Sequence, residues 1–212
     1  MGTILGIAGQ KQSGKSSSCD FIKSIEISLV RTYSFADPLK LFCVDVLGLT
    51  YKQCYGTDED KNSLTPWQWE DIGEQYHKKF GRHRGNMTAR EVMQIQGEIQ
   101  RDCFSKGIWV NCVFRKIRKE ENNRCLRSFQ NILHIISDLR YQNEVERCLN
   151  EGGYVIHLKK RTNDNSASSE AELLTIDWSS YDNVFEIDNT NMTIHEKNAE
   201  IAKIIDKILN RK

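Results

Sequence analysis

The sequence predicts an α/β fold, a parallel sheet flanked by helices, and three observations carry it. Short runs at 3–8, 30–35, 132–138, 154–158 and 184–187 read as strands, and those at 3–8, 132–138 and 154–158 have the apolar composition of buried ones. Stretches with apolar residues at three-to-four spacing stand between these runs, the alternation that a parallel sheet needs. A glycine-rich segment, Gly9-Gln10-Lys11-Gln12-Ser13-Gly14-Lys15-Ser16, joins the first strand to the first helix. With 212 residues, 39% of them hydrophobic, the chain can bury one sizeable core, or one core with a small appended subdomain.

Each element follows from its own signals. Residues 3–8 read as a buried strand and 15–29 as a helix, with Cys19, Ile22, Ile25, Glu26 and Leu29 on one mostly apolar face. A strand over 30–35 ends at Ala36-Asp37-Pro38. Asp37 suits an N-cap and Pro38 the first helical position, and a helix then runs to about Leu47. Residues 48–86 mix aromatics with charges and end in the basic cluster Lys78, Lys79, Arg82, His83, Arg84. They read as an insertion beside a substrate site; a solvated surface excursion is the other reading.

Thr88 and Glu91 have capping-box spacing at the start of a helix reaching Cys103. Val92, Ile95, Ile99 and Cys103 share one face; Arg90, Gln94, Gly97 and Arg101 lie opposite. Two arginine forks and an amide around a glycine suit an anion, and a mid-helix glycine costs about 1 kcal/mol against alanine. A plain solvent-facing side is the alternative. Gly107 to Asn111 opens a helix with Trp109, Val113 and Ile117 on one side; residues 119–130 read as polar loop. The strand 132–138 ends in Asp138, with Arg140 close behind, and His134 reads as a core histidine with no evident partner. A short helix with Tyr141, Val145, Cys148 and Leu149 stops at Gly152-Gly153. Residues 162–169 are polar, 170–174 turn helical, and 160–174 read as a mobile lid. An amphipathic helix from Ile194 to Leu209 closes the chain.

The glycine-rich segment fits G-x-x-x-x-G-K-[ST] at every fixed position and has the strand–loop–helix context of a phosphate-binding loop. Such a loop aims backbone N–H groups at phosphate, and the helix N-terminus adds about half a positive charge. Gly9, Ser13, Gly14, Lys15, Ser16 and Ser17 are therefore the ATP-binding candidates. Lys15 would reach the β- and γ-phosphates and Ser16 would hold Mg²⁺. A carboxylate at the C-terminal end of a strand lies near phosphates or metal in such sheets, so Asp138 is the second Mg²⁺ candidate, acting through water. The fold class is accordingly a P-loop NTPase fold.

Composition narrows the partners. The net charge is +1, from 30 basic and 29 acidic residues, without the basic excess of a duplex binder. The 7 cysteines form no C-x-x-C pair and the 5 histidines no H-x-x-x-H or H-x-H group, so neither a zinc ribbon nor a dedicated protein-built metal site is indicated. Scattered cysteines fit a reducing, cytoplasmic setting. The N-terminal apolar run is too short for a signal peptide or a membrane span.

Taken together, these motifs resemble the phage and large-virus deoxynucleoside monophosphate kinases. The residues that carry the resemblance are Gly9–Ser16, Phe35–Lys40, and Thr88–Gln94 with Gly97 and Arg101. Downstream they are Trp109-Val110-Asn111, Ser137–Glu144, Ser168-Ser169-Glu170 and Ile187-Asp188-Asn189. The match in order and spacing covers nearly the whole chain except 50–86, and its combination of motifs is far more specific than the loop alone. It implies transfer of the γ-phosphate of ATP to a deoxynucleoside 5′-monophosphate, giving the diphosphate and ADP for DNA precursor synthesis. It implies one kinase domain over 1–212, with an acceptor-side insertion and helix at 50–104 and a lid at 160–174. Lys11, Asp37, Lys40, Arg90, Gln94, Gly97, Arg101, Trp109, Asp138, Arg140 and Glu144 are the matching acceptor contacts. Lys15, Arg140 and Arg161 are the catalytic cations. Small molecules are then the partners, without nucleic acid or membrane. Homodimer formation stays open, and the setting is the host cytoplasm if the protein is viral. Two departures stand out: Gly97-Glu98-Ile99 replaces the family's Gly-Thr-Glu, and Ala167 stands where a lid histidine is frequent. Any lid role for that histidine does not carry over.

Kinases of other small acceptors, such as the dephospho-coenzyme A kinase type, share the loop and lid. A polynucleotide 5′-kinase would want a stronger basic groove, and a GTP switch would want an Asn/Thr-Lys-x-Asp motif, which is lacking.

Overall fold

The structure, a computed structural model, describes residues 2–25, 29–122, 132–160 and 173–210. It divides into two compact units, residues 1–35 with 110–212, and residues 36–109.

The first unit is built on a five-stranded parallel sheet flanked by helices, an architecture consistent with a P-loop NTPase-like fold. Its strands are β1 (Thr3–Gly9), β2 (Leu29–Tyr33), β5 (Ile132–Leu139), β6 (Tyr154–Lys159) and β7 (Val184–Asp188), in spatial order β2-β5-β1-β6-β7. Every residue of β1 is buried, which is why this strand reads as a continuous apolar run. On one face pack α1 (Lys15–Ser24) and α9 (Ile194–Leu209), with Leu5, Ile7, Ile22, Leu133, Ile135, Ile156, Ile201 and Ile205 in the core. The other face is covered from α7 (Ile108–Glu121) and α8 (Gln142–Asn150), around Ile4, Phe114, Ile117, Ile136, Val145 and Val155. β2 lies two places from β1 on one side while β6 pairs with β1 on the other. The strand order therefore reverses at β1, whose C-terminal end is a topological switch point, where ligands of open α/β sheets bind.

The second unit holds α2 (Asp37–Asp45), α3 (Tyr51–Tyr55), α4 (Asp58–Lys61), α5 (Glu74–Phe80) and α6 (Ala89–Cys103), with the antiparallel pair β3 (Leu64–Gln68) and β4 (Asn86–Thr88). It has its own apolar core, which includes Cys43, Leu49, Cys54, Trp69, Met87, Val92 and Ile95. The stretch 48–86 is thus folded rather than a solvated excursion. Thr50 with Gln53, Thr57 with Asp60 and Thr88 with Glu91 each close a capping box. The proposed insertion at 50–104 falls inside this unit.

Several boundaries differ from the sequence reading. α1 ends at Ser24, not near residue 29, because Leu29 and Val30 pair with Ile132 and Leu133 as β2. That strand stops at Tyr33, and Phe35 turns away with its N–H held by Asp138. Ala36 is the N-cap of α2, so Asp37 is the first helical residue rather than the cap. α7 continues to Glu121 where loop was expected from 119. Cys103 is exposed and Met93 buried, which rotates the apolar face of α6. His134 does have partners: Tyr33 Oη lies 3.1 Å from its Nδ1 and Glu121 Oε1 3.2 Å from its Nε2. Glu26, Cys125, Arg161, Ala167 and Ser168-Ser169-Glu170, with most of the lid, lie outside the described residues.

Candidate functional site

The loop from β1 to α1 is shaped by residues with left-handed backbone. Gly9 has φ 153°, and a Cβ there would meet Ser13 Oγ at 2.5 Å and the Leu158 carbonyl at 2.8 Å, so only glycine fits. Gln12 has φ 62° and Gly14 φ 94°. Gly14 is the N-cap of α1, with no side-chain cap and no acidic residue in the first turn. An N-terminus left without a side-chain acceptor and set at the switch point is suited to an anion. Lys15 Nζ donates to the carbonyls of Gly9 (2.5 Å) and Gln10 (2.7 Å), folded back on its own loop. Ser16 and Ser17 are exposed in the first turn, and Ser17 Oγ donates to the Gly14 carbonyl at 2.9 Å. Ser13 is buried, and its Oγ has no partner among the described residues. Lys11 is exposed on the loop.

This cradle and the chemistry of its donors fit a polyphosphate. Among the described residues no group of three His, Cys, Asp or Glu could hold a metal ion. The residues that would hold Mg²⁺ are then Ser16 and, through water, the single carboxylate of Asp138, with the phosphates supplying the remaining oxygens.

Asp138 sits at the C-terminal end of β5. Its Oδ2 accepts from Ser34 Oγ at 2.6 Å and its Oδ1 from the Phe35 N–H at 2.8 Å, so it ties the end of β2 to β5. Glu144 is buried, and its Oε2 accepts from the N–H groups of Arg140 (2.7 Å) and Tyr141 (3.1 Å). It therefore holds the entry to α8 and fixes the backbone of Arg140, a structural task not evident in the sequence.

The second unit collects the other candidates. Arg90 pairs with Asp58 at 2.6 Å and donates to Asn62 at 2.9 Å. Gln94 is exposed and Arg101 half-buried. Gly97 is buried, and its absent side chain makes room for Leu39, whose Cδ2 would lie 3.1 Å from a Cβ. The glycine that suggested close anion approach thus has a packing reason. Trp109 Nε1 lies 3.5 Å from the Gly97 carbonyl. Lys40 Nζ stands 4.6 Å over the Tyr55 ring, and Tyr55 stacks on Tyr51 at 4.3 Å. Burial, followed by the Asp37 charge, pushes the Tyr55 hydroxyl up to about 12.

Two residues that touch the loop, Asn189 just after β7 and Lys197 of α9, were not among the site residues that the sequence suggested. Asn189 Nδ2 donates to the Ser13 carbonyl at 2.8 Å, and Lys197 Nζ donates to Ser17 Oγ at 2.8 Å. Lys197 had a legible signal, since it falls on the apolar stripe of the terminal helix. Burial pushes the thiols of Cys19, Cys43 and Cys148 up to about 11, 12 and 12, so these are inert packing groups rather than nucleophiles.

No protein-family model matches the chain. Along 208 residues, 96% of each protein, it is 29% identical to a protein of Acanthamoeba polyphaga mimivirus named "Putative deoxynucleotide monophosphate kinase". A solved structure titled "Crystal structure of APE1195" is 13% identical, covers 98% of this chain and 97% of its own, and superposes with a TM-score of 0.39. No helix among the described residues is long and apolar enough to cross a membrane. The chain is thus similar, over nearly its whole length, to a viral protein that bears a kinase name.

Proposed function

We propose that the chain transfers the γ-phosphoryl group of Mg·ATP to a deoxynucleoside 5′-monophosphate. The observation that carries the reading is the Gly9–Ser16 loop, which opens α1 without a side-chain cap at the switch point of a parallel sheet. The name of the mimivirus relative supports a kinase of this general kind.

In this reading the loop N–H groups and Lys15 hold the β- and γ-phosphates, and Ser16, with Asp138 through water, would hold Mg²⁺. Bound Mg²⁺ supplies charge neutralisation across the phosphates. The acceptor's phosphate oxygen attacks the γ-phosphorus as the bond to the β–γ bridging oxygen breaks, so ADP leaves and a diphosphate forms. The acceptor is already an anion, so little deprotonation is needed and the chain's work is positioning and charge. Arg90, Arg101 and Arg140 are assigned to the acceptor phosphate; Lys11, Asp37, Lys40, Gln94, Gly97, Trp109 and Glu144 complete the acceptor-side assignment. Arg161 is assigned to the transferring group, and closure of the lid excludes water. The setting assigned to the protein is cytoplasmic, the host cytoplasm if it is viral.

ADP release measured across all deoxy- and ribonucleoside monophosphates tests the function. Stimulation by one or more deoxynucleoside monophosphates is expected; no stimulation by any of them overturns it.

A further inference from the structure

The terminal helix α9 carries a lysine where its stripe calls for a hydrocarbon. Ile194, Lys197, Ile201, Ile205 and Ile208 follow three-to-four spacing, and Lys197 is only 3% exposed. A buried ammonium is costly unless its donors are satisfied. Here they meet neutral oxygens of the phosphate loop: Ser17 Oγ at 2.8 Å and the Gly14 carbonyl at 3.3 Å. Ser17 spends its own proton on the Gly14 carbonyl, so a lone pair of its hydroxyl faces the ammonium. The approach to the loop is close, since a Cβ on Gly14 would sit 3.1 Å from Nζ.

Charge is the second half of the argument. No carboxylate among the described residues pairs with Lys197. Among the described residues the ionisable groups that act on it are the Cys19 thiol of α1 and Lys160, just after β6; burial pulls the ammonium below the ordinary lysine value. A structural lysine would be expected to find an acid. This one delivers an unbalanced positive charge to the first turn of α1, at the residues that the loop motif commits to phosphate.

We propose that Lys197 is a positioning residue of the donor site, which holds Gly14 and Ser17 in place and sets the affinity for the polyphosphate chain of a nucleoside triphosphate. This rests on reading Gly9–Ser16 as a phosphate loop, but not on the identity of the acceptor. Lys197 lies behind the loop and touches its residues, so it acts through them.

The test is calorimetric titration of Mg·ATP, and of Mg·triphosphate lacking a nucleoside, into the wild type, Lys197→Met and Lys197→Arg. Methionine has a similar volume, and replacing a buried charge by a well-packed apolar side chain is commonly neutral for stability. Lys197→Met is expected to weaken both ligands about tenfold, the scale of one charge-assisted contact. Lys197→Arg is expected to restore most of that affinity. In turnover, KM for ATP rises in Lys197→Met while KM for the acceptor holds. A folded Lys197→Met protein, judged by circular dichroism and melting, that binds both ligands as tightly as wild type overturns the proposal. Lys197→Gln, a neutral donor, gives the same decision should methionine not fold. A wild type that binds no ATP overturns this proposal and the donor reading together. Binding of ATP without phosphorylation of any monophosphate overturns only the acceptor assignment.

Discussion

Asn189 Nδ2 donates to the backbone carbonyl of Ser13 at 2.8 Å and so joins the end of β7 to the loop after β1, 176 positions earlier in the chain. Both residues are buried. The loop is therefore held by long-range contacts as well as by its own glycines. Asn189→Ala is expected to lose about 1–3 kcal/mol of stability, since it strands a buried carbonyl. It is also expected to raise KM for ATP more than KM for the monophosphate. Urea denaturation and two-substrate kinetics measure both effects.

Lys15→Ala is expected to abolish phosphoryl transfer and leave the fold intact. The side chain is only part-buried and donates to carbonyls of its own loop. Turnover at the wild-type rate by a well-folded Lys15→Ala protein would sink the donor assignment, and far-ultraviolet dichroism supplies the folding control.

Gly97 separates two explanations by size. In Gly97→Ala the Cβ would meet the flexible end of Leu39 at 3.1 Å. The helix gains about 1 kcal/mol in propensity, which offsets the crowding, so stability is expected to change little. Gly97→Leu overfills the same space and is expected to cost about 1–3 kcal/mol. If packing is the reason for the glycine, stability falls in step with side-chain volume; a monophosphate KM that rises steeply in the stable alanine variant would restore the anion reading.

His134 and His157 give the protein an acid-side weakness. Burial is the leading cause in both and pulls each imidazole below 6.5, although Glu121 and Glu186 pull the other way. The unfolded chain then binds more protons than the folded one just below pH 6.5. The stability that these groups contribute is whole above that pH and is lost as pH falls through their folded values. Denaturation midpoints should therefore drop between pH 7.5 and 5.5. His157→Gln, which keeps a polar group beside Glu186 and Trp178, should flatten part of that slope. Glu186 itself is held below 4.5, so its contribution fades only at lower pH.

Much of this molecule was legible where the physics is local. The runs that became β1, β5 and β6 could be read because strands buried on both faces are largely apolar. The Thr88–Glu91 box was legible because both partners stand within one helical turn. β2 was harder to bound, for it is half-exposed and its first residues continue the spacing of the preceding helix. The loop motif was read from its spacing and its place between a strand and a helix.

By itself, then, the sequence determined the alternation of strands and helices, the cap boxes and the glycine pattern that shapes the loop, all of which depend on residues a few positions apart. Only the tertiary structure decided who meets whom across the chain. It gave Asp138 the task of holding Phe35, Gly97 the task of admitting Leu39, and Lys197 a place behind Ser17. Those roles come from strand order and helix packing, which bring distant residues within hydrogen-bond or van der Waals reach and leave no mark in local spacing.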